Sequence, residues 1–326
     1  MNKYYKLWLS FIITSVCIYF AFKDENYLNL FNQIKNIKMS FLILSILILI
    51  ISCYLRALRW KYILTNSGVK NIHLLFGSVM VGYFGNNVLP FRLGEVLRSY
   101  SATFYCNVSF TQAFGSVVLE RIMDLGFVII MFFLILPWFS IELNNITFLI
   151  SLISVLIISF FLLIGLTNYF GFFTKIKDLS VFKNGLTKKL INFLEVFLKS
   201  IASIKNSEFN LHIVFLSVIL WLFYYLATYF ILQSFSLDLD FISIWLIIII
   251  SSLAIGIPAM PGAIGTYEAG VKFAMVSLIG VASEKALAFA IVSHAASFVP
   301  FTFLGAIYFF LGSVKLDDIK NKDMIV

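Results

Sequence analysis

Charge is the scarcest commodity in this chain. Asp, Glu, Lys and Arg together make up 12% of 326 residues, while hydrophobic residues make up 61% and the mean hydropathy is +0.99. A soluble domain carries about 25% charge and about 45–50% apolar residues. So few charges among so many Phe, Ile and Leu exclude disorder, a coiled coil and a nucleic-acid partner. Cysteine is nearly absent too: Cys17, Cys53 and Cys106 are scattered, form no CxxC and support neither a disulfide framework nor a metal site, so they read as apolar fillers. There is no P-loop, no GxGxxG after a strand and no HExxH, and no cofactor is expected. The longest polar stretch, 175–208, is too short for a catalytic domain. The net charge of +8 sits in a few short loops, where it reads as orientation.

What is present is apolar runs. About 20 such residues span the hydrocarbon core, with about 17 as a lower limit. Runs lie between Lys6 and Lys23, Lys38 and Arg56, and Asp124 and Glu142, and over 146–174, 211–237, 241–257 and 286–312. The first ends at Phe22-Lys23-Asp24 without a small-residue cleavage site, so it reads as an anchor rather than a signal peptide. Basic loops stay in the cytoplasm. Residues 56–70 carry Arg56, Arg59, Lys61 and Lys70 and no acid, and 175–208 carries seven Lys against Asp178, Glu195 and Glu208. Both are expected inside, as are the two termini. The loops around Glu142 and around Asp238 and Asp240 are expected outside.

This parity constrains the ambiguous parts. The chain is inside at residue 70 and again near Arg121, so 71–121 crosses an even number of times. The run 72–90 goes up, and something in 91–120 comes down despite Arg92, Glu95 and Arg98. A broken helix or re-entrant hairpin meets that demand. Residues 175–208 place Phe193, Val196, Phe197 and Ile201 at helical spacing, which predicts an amphipathic helix on the cytoplasmic surface, with a solvated connector as the alternative.

Polar residues inside apolar stretches carry the functional signal. Irregular backbone at membrane depth must be packed in protein or line a wet cavity, and ionisable residues there are functional candidates. One cluster reads Gly85-Asn86-Asn87-Val-Leu-Pro90-Phe-Arg92-Leu-Gly94-Glu95-Val-Leu-Arg98. Pro90 stops the incoming helix, and Arg92, Glu95 and Arg98 follow at i, i+3, i+6, on one side of a helix. The second reads Gly256-Ile-Pro258-Ala-Met-Pro261-Gly262-Ala-Ile-Gly265-Thr-Tyr-Glu268. Both place a Gly four residues after a Pro, then a Glu. By the parity above, their leading helices enter from opposite sides, as inverted repeats do, and paired interrupted helices point to a central binding site. Their helix N-termini suit a phosphate or carboxylate. Two unrelated packing kinks are the bland alternative.

A third cluster, Glu120-Arg121-x-x-Asp124, stands at the start of a span. Arg121 and Asp124 are spaced to pair and to close against Arg92 or Glu95, and an interfacial anchor is the alternative. His294 beside Ser293 lies inside the last span, where packing is its commoner role. Lys272 lies one turn past Glu268 and in reach of it. His73 and His212 sit at span entrances.

These three motifs, in order, resemble the flippase-like transmembrane domain of lysylphosphatidylglycerol synthase, the membrane half of the multiple peptide resistance factor. The resemblance covers nearly the whole chain. It implies a bundle of about eight helices with re-entrant segments that handles a lipid, with Arg92, Glu95, Arg98, Glu120, Arg121, Asp124 and Glu268 as cavity residues. The family's second break usually reads Pro-Gly-Gly, whereas Ala263 stands here, and many members carry an Arg in the last helix where this chain has Ser293-His294. The aminoacyl-transferase domain of two-domain members is lacking, so no enzyme activity is expected.

The expectation is therefore an all-α, polytopic transmembrane bundle forming one domain over 1–326, with broken-helix units near 71–121 and 241–285 that meet as inverted repeats. Asn86, Asn87, Arg92, Glu95, Arg98, Glu120, Arg121, Asp124, Gly262, Gly265, Glu268 and His294 are the expected binding residues. The expected partner is an anionic phospholipid or lipid-linked glycan, translocated across a bacterial or archaeal cytoplasmic membrane, with a homo-oligomer or a soluble cytoplasmic protein as further partners. An intramembrane lipid-modifying enzyme, and a non-transporting partner of a glycosyltransferase machine, are the alternatives.

Overall fold

The computed structural model describes residues 3–23, 25–64, 71–106, 108–138, 210–257 and 260–312. The expected span 146–174, the loop around Glu142 and the connector 175–208 lie outside the described residues. Among the described residues the chain is all-helical, with ten α-helices. They are α1 (Lys3–Phe22), α2 (Tyr27–Lys35), α3 (Met39–Ile63), α4 (Ile72–Val88), α5 (Gly94–Cys106), α6 (Phe110–Ile135), α7 (Asn210–Ser234), α8 (Phe241–Gly256), α9 (Thr266–Phe273) and α10 (Ser283–Leu311). Helices α3, α7 and α10 contain stretches long and apolar enough to cross a membrane.

Helix starts follow from short polar caps. Asn26 accepts from the Leu28 and Asn29 amides at α2, Asn71 from the His73 amide at α4, and Asp240 from the Ser243 amide at α8. Helices α3 and α7 pack antiparallel. The Lys38 amide donates to Ser234 O at one end, Ser45 Oγ to Ala227 O further along, and Tyr62 stacks on His212 at the other end. Serines at such contacts let backbones approach while satisfying their own hydroxyls.

Two helix–break–helix hairpins enter this bundle from opposite ends. In the first, α4 and α5 fold back on each other about Pro90–Arg92. Its open end lies beside the C-terminal end of α10, where Tyr308 meets His73 and accepts from Tyr105 Oη on its carbonyl oxygen. In the second, α8 and α9 fold back about Pro261–Ala263. The open end of that hairpin lies at the N-terminal end of α10, where Lys272 pairs with Glu25, and Glu25 also accepts from Ser283. Past α9 the chain makes a π-turn over Ala274–Leu278 before α10 begins. Among the described residues two apolar cores form, one around Trp245 and Phe289 and one around Trp60 and Leu75.

Three expectations change here. Arg56 and Arg59 do not lie in a loop: α3 continues to Ile63, and Arg59 is 0% exposed. Each arginine has carboxylate partners in the neighbouring helix, so the helix need not end where its charge begins. Second, Glu120, Arg121 and Asp124 sit in the middle of α6, which starts at Phe110, rather than at the start of a span. The chain has already returned through α5. Third, Lys272 pairs with Glu25 and donates to Ala21 O at 2.6 Å instead of pairing with Glu268, whose carboxylate is taken by His294.

Candidate functional site

The first turn is set by sterics. Leu89 precedes Pro90 and is extended (ψ 145°), as pre-proline geometry favours. Arg92 then adopts φ +56°, a left-handed conformation uncommon for a side chain of its size. Close hairpin packing depends on glycine. A Cβ on Gly85 would lie 2.7 Å from the Gly94 Cα, and a Cβ on Gly94 would collide with the Gly82 carbonyl oxygen and the Asn86 nitrogen. Asn87 Nδ2 donates to Thr302 Oγ1 at 2.8 Å, which ties the tip to α10.

Behind this turn lies a buried charge cluster. Glu120, 0% exposed, accepts from both terminal nitrogens of Arg98 at 3.0 and 3.1 Å and from Arg56 Nη1 at 2.5 Å. Asp124 accepts from Arg59 Nη2 at 2.8 Å and from Arg56 Nη1 at 3.2 Å. Arg56 also donates to Tyr224 Oη at 2.8 Å and Arg59 to Ser217 Oγ at 3.1 Å. The Arg98 guanidinium lies 4.0 Å from the Trp60 ring centroid, and Trp60 in turn donates to Ser116 at 2.8 Å. Arg121 Nε lies 3.2 Å from Glu95 Oε1, 37% of its side chain exposed. Among the described residues the cluster holds four arginines against three carboxylates, a net of plus one. A buried guanidinium with no counter-ion is strongly destabilising, whereas a network with paired, hydrogen-bonded members persists.

The second turn repeats the backbone device with different chemistry. Met260 precedes Pro261 and is extended (ψ 164°), and Ala263, third in the turn like Arg92, has φ +58°. Gly265 (φ +85°) donates its N–H to Glu268 Oε2 at 2.7 Å, closing the start of α9. Glu268 Oε1 lies 2.6 Å from His294 Nδ1, and His294 Nε2 lies 2.9 Å from the Gly262 carbonyl oxygen. Tyr267 donates to Ser293 at 3.1 Å, and its ring lies 4.6 Å from the imidazole. The Thr14 hydroxyl of α1 accepts from the Met260 N–H at 3.0 Å.

The two turns touch, and a cavity of about 600 Å³ opens beside them. Arg92, Arg121, Glu95, Asp124 and Arg56 line one side, and Gly262, Ala263 and His294 the other. Trp221 and the apolar faces of α7 and α8 close the rest. A pocket that is mostly apolar with a few convergent polar groups suits an amphiphile. Among the described residues, Arg92 forms no ion pair, so its charge is available to a ligand.

Most of the sequence-expected residues converge here, although in different roles. Asn86, Asn87, Arg92, Glu95, Arg121, Asp124, Gly262 and His294 line the cavity. Arg98 and Glu120 do not: they grip each other behind the cavity wall, 2% and 0% exposed. Gly265 and Glu268 shape the second turn from beneath. Arg92, Glu95 and Arg98 do not share one helical face, because Arg92 belongs to the turn before α5 begins. Arg56 and Arg59 were missed as site residues. A signal existed: two arginines three residues apart at the end of an apolar run match the two acids four residues apart at Glu120 and Asp124. No group of three or more His, Cys, Asp or Glu suited to a metal occurs among the described residues.

The sequence profile of the lysylphosphatidylglycerol synthase TM region matches residues 7–305. A UPF0104 membrane protein of Methanocaldococcus jannaschii is 24% identical over 344 aligned positions, covering 97% of this chain and 99% of the relative. One from Methanothermobacter thermautotrophicus is 25% identical over 267, covering 78% of each. Glycosyltransferase AglD of Haloferax volcanii is 32% identical over 79 residues, 24% of this chain and 13% of that protein. No solved structure matches the chain.

Proposed function

The chain belongs to the lysylphosphatidylglycerol synthase transmembrane family, and from that premise and the paired turns we propose that it binds the head group of an anionic amphiphile and moves it across the cell membrane. The amphiphile is a phospholipid or a lipid-linked glycan. One observation carries the reading: hairpins from opposite ends of the bundle meet at a cavity that Arg92 lines, with no ion pair to it among the described residues. The head group takes Arg92 and the exposed edge of Arg121, Glu95 and Asp124 keep those cations oriented, and the acyl chains stay in lipid. Alternating exposure follows from rocking one hairpin unit against the other. The excess of lysine in 175–208 supports a reading with both termini on the cytoplasmic side.

A proteoliposome assay tests this. With NBD-labelled phosphatidylglycerol and dithionite quenching, protein-containing vesicles are expected to expose inner-leaflet label that protein-free vesicles protect. Arg92→Ala is expected to slow exposure about tenfold or more, since a hydrogen bond to a charged group is worth about 1.5–3 kcal/mol. Equal protection with and without protein would refute transport of this lipid. A second reading, a membrane partner of a glycosyltransferase, draws on the stretch shared with the Haloferax protein. It predicts no exposure of label and stable co-purification of a soluble enzyme.

A further inference from the structure

The second turn contains a group that the lipid reading does not use. The imidazole of His294 stands between two acceptors, the Glu268 carboxylate at Nδ1 (2.6 Å) and the Gly262 carbonyl at Nε2 (2.9 Å). A carbonyl oxygen never donates, so Nε2 must carry a hydrogen. Between Nδ1 and Oε1 a second proton is required as well, whether it rests on the ring or on the carboxyl. Without it, two lone pairs face each other across a hydrogen-bond distance, on side chains only 12% and 11% exposed. The arrangement is therefore complete only while the pair holds this proton. Resting on the proposed lipid transport, we infer that the His294–Glu268 pair is a proton-binding site that couples proton movement to movement of the anionic head group.

Geometry gives the coupling its physical route. The pair holds both ends of the second turn: Glu268 takes the Gly265 N–H at 2.7 Å while His294 takes the Gly262 carbonyl. That turn contacts the first turn, which presents Arg92. Charge acts in the same direction. The cavity wall holds Arg56, Arg92 and Arg121 against Glu95 and Asp124, a net of plus one while the pair is neutral. When the shared proton leaves for the water of the cavity, the pair becomes minus one and the positive charge facing the head group falls by one. Proton and anion thus favour each other's binding, and the coupling is reciprocal.

Among the described residues, no titratable group other than Glu268 bonds the ring. From α9, only Tyr267 and Glu268 face the ring, and Tyr267 donates to Ser293. Lys272, also on α9, is held by Ala21 O and Glu25 at the far end. On α4, His73 and Tyr83 meet Tyr308 and Phe301 of α10 rather than His294. Arg56 and Arg59 of α3 and Tyr224 of α7 belong to the Glu120–Asp124 cluster. Tyr27 and Lys35 belong to α2, which packs against α10 without a bond to the ring.

Two measurements decide the matter. The first needs no lipid: nitrogen-15 NMR of the histidines in the purified full chain, with His294→Gln to assign its signals among the three histidines. Both ring nitrogens of His294 are expected to carry proton character at mildly acidic pH. One deprotonation on raising pH is expected to shift the Gly262 and Gly265 amides with it. Glu268→Gln places an amide donor against Nδ1, so its ring is expected to be neutral, with those amides fixed in their acid-form positions. The second uses the labelled phosphatidylglycerol vesicles under an imposed pH difference. Label is expected to accumulate in the leaflet facing the alkaline side, about tenfold per pH unit for one proton per lipid, and Glu268→Gln is expected to lose that asymmetry. A bare Nδ1 throughout the titration, or an unchanged titration in Glu268→Gln, overturns the proton site. Label that equilibrates without regard to the gradient overturns the coupling alone. Wild-type vesicles that move no label overturn the transport reading itself, and the NMR result then still decides whether the proton is bound.

Discussion

The two turns share a backbone and differ in everything hung upon it. Each begins with an extended residue before a proline, and each puts a non-glycine residue at φ near +57° two positions later, Arg92 at +56° and Ala263 at +58°. Behind the first stands a permanent positive field: Arg56, Arg59, Arg98 and Arg121 around Glu95, Glu120 and Asp124. Guanidinium groups stay charged at any relevant pH. Behind the second stands a histidine–carboxylate pair and, among the described residues, no arginine bonded to it. One tip therefore offers a fixed attraction and the other a bond that depends on a proton. Two turns of like backbone can divide binding from control in this way.

The sharpest way to break the comparison is to remove the anchor of the first side. Glu120→Ala leaves Arg98 and Arg56 buried without their shared carboxylate. Breaking one partner out of a buried network typically costs about 3–5 kcal/mol. Much of the chain is expected to be lost from the monodisperse peak in detergent, and what remains is expected to melt earlier. Glu268→Ala on the other side removes one carboxylate from one histidine, so its loss is expected to be smaller. Equal losses, read by fluorescence-detected thermal unfolding, would mean that both turns rest on charge burial alike.

Packing comes next. Gly94→Ala drives a Cβ into the Gly82 carbonyl and the Asn86 nitrogen, both backbone atoms that cannot swing aside. Overpacking of this kind costs about 1–3 kcal/mol, and it is expected to spread α4 from α5. Gly262→Ala meets the Phe298 ring instead, a side chain that has room to turn, although the positive φ adds strain there. Asn87→Ala removes the tie to Thr302 and is expected to cost about 1 kcal/mol.

How much of this was legible beforehand depended on whether a feature was local. The prolines and glycines of both turns announced themselves, since their constraints act within a few residues. A break within 71–121 was legible too, and α4 and α5 fold back on each other there. The partners of the charges were not legible. Arg98 meets Glu120 across 22 residues and Arg56 meets it across 64, and nothing in a single sequence ranks such pairings. Charge itself misled the reading of α3: Arg56 looked like the end of a span because a lone arginine in lipid costs about 2.5–3.5 kcal/mol. Two matching carboxylates on α6 remove that penalty, and the helix runs on. Lys272 was drawn toward Glu268 by helical spacing, yet His294, from a helix distant in sequence, holds that carboxylate.

The smallest expected effect has the opposite sign. Ala263 occupies a left-handed conformation that costs a side-chain-bearing residue about 1–2 kcal/mol. Glycine adopts it freely, which gives a physical reason for the Pro-Gly-Gly pattern of the resembled family. Ala263→Gly relieves that strain but gives the unfolded chain more freedom, worth about 0.4–1 kcal/mol against folding. The balance is a stabilisation of about 0.5 kcal/mol, visible as a slight rise in the thermal midpoint. The first turn has no such remedy. Replacing Arg92 by Gly relieves the same strain while deleting the cation that the cavity presents. Arg92→Gly is therefore expected to keep or raise stability and lose lipid movement, whereas Ala263→Gly is expected to keep both. If the two variants behave alike in the vesicle assay, the charge at the first turn has no function that the backbone alone does not supply.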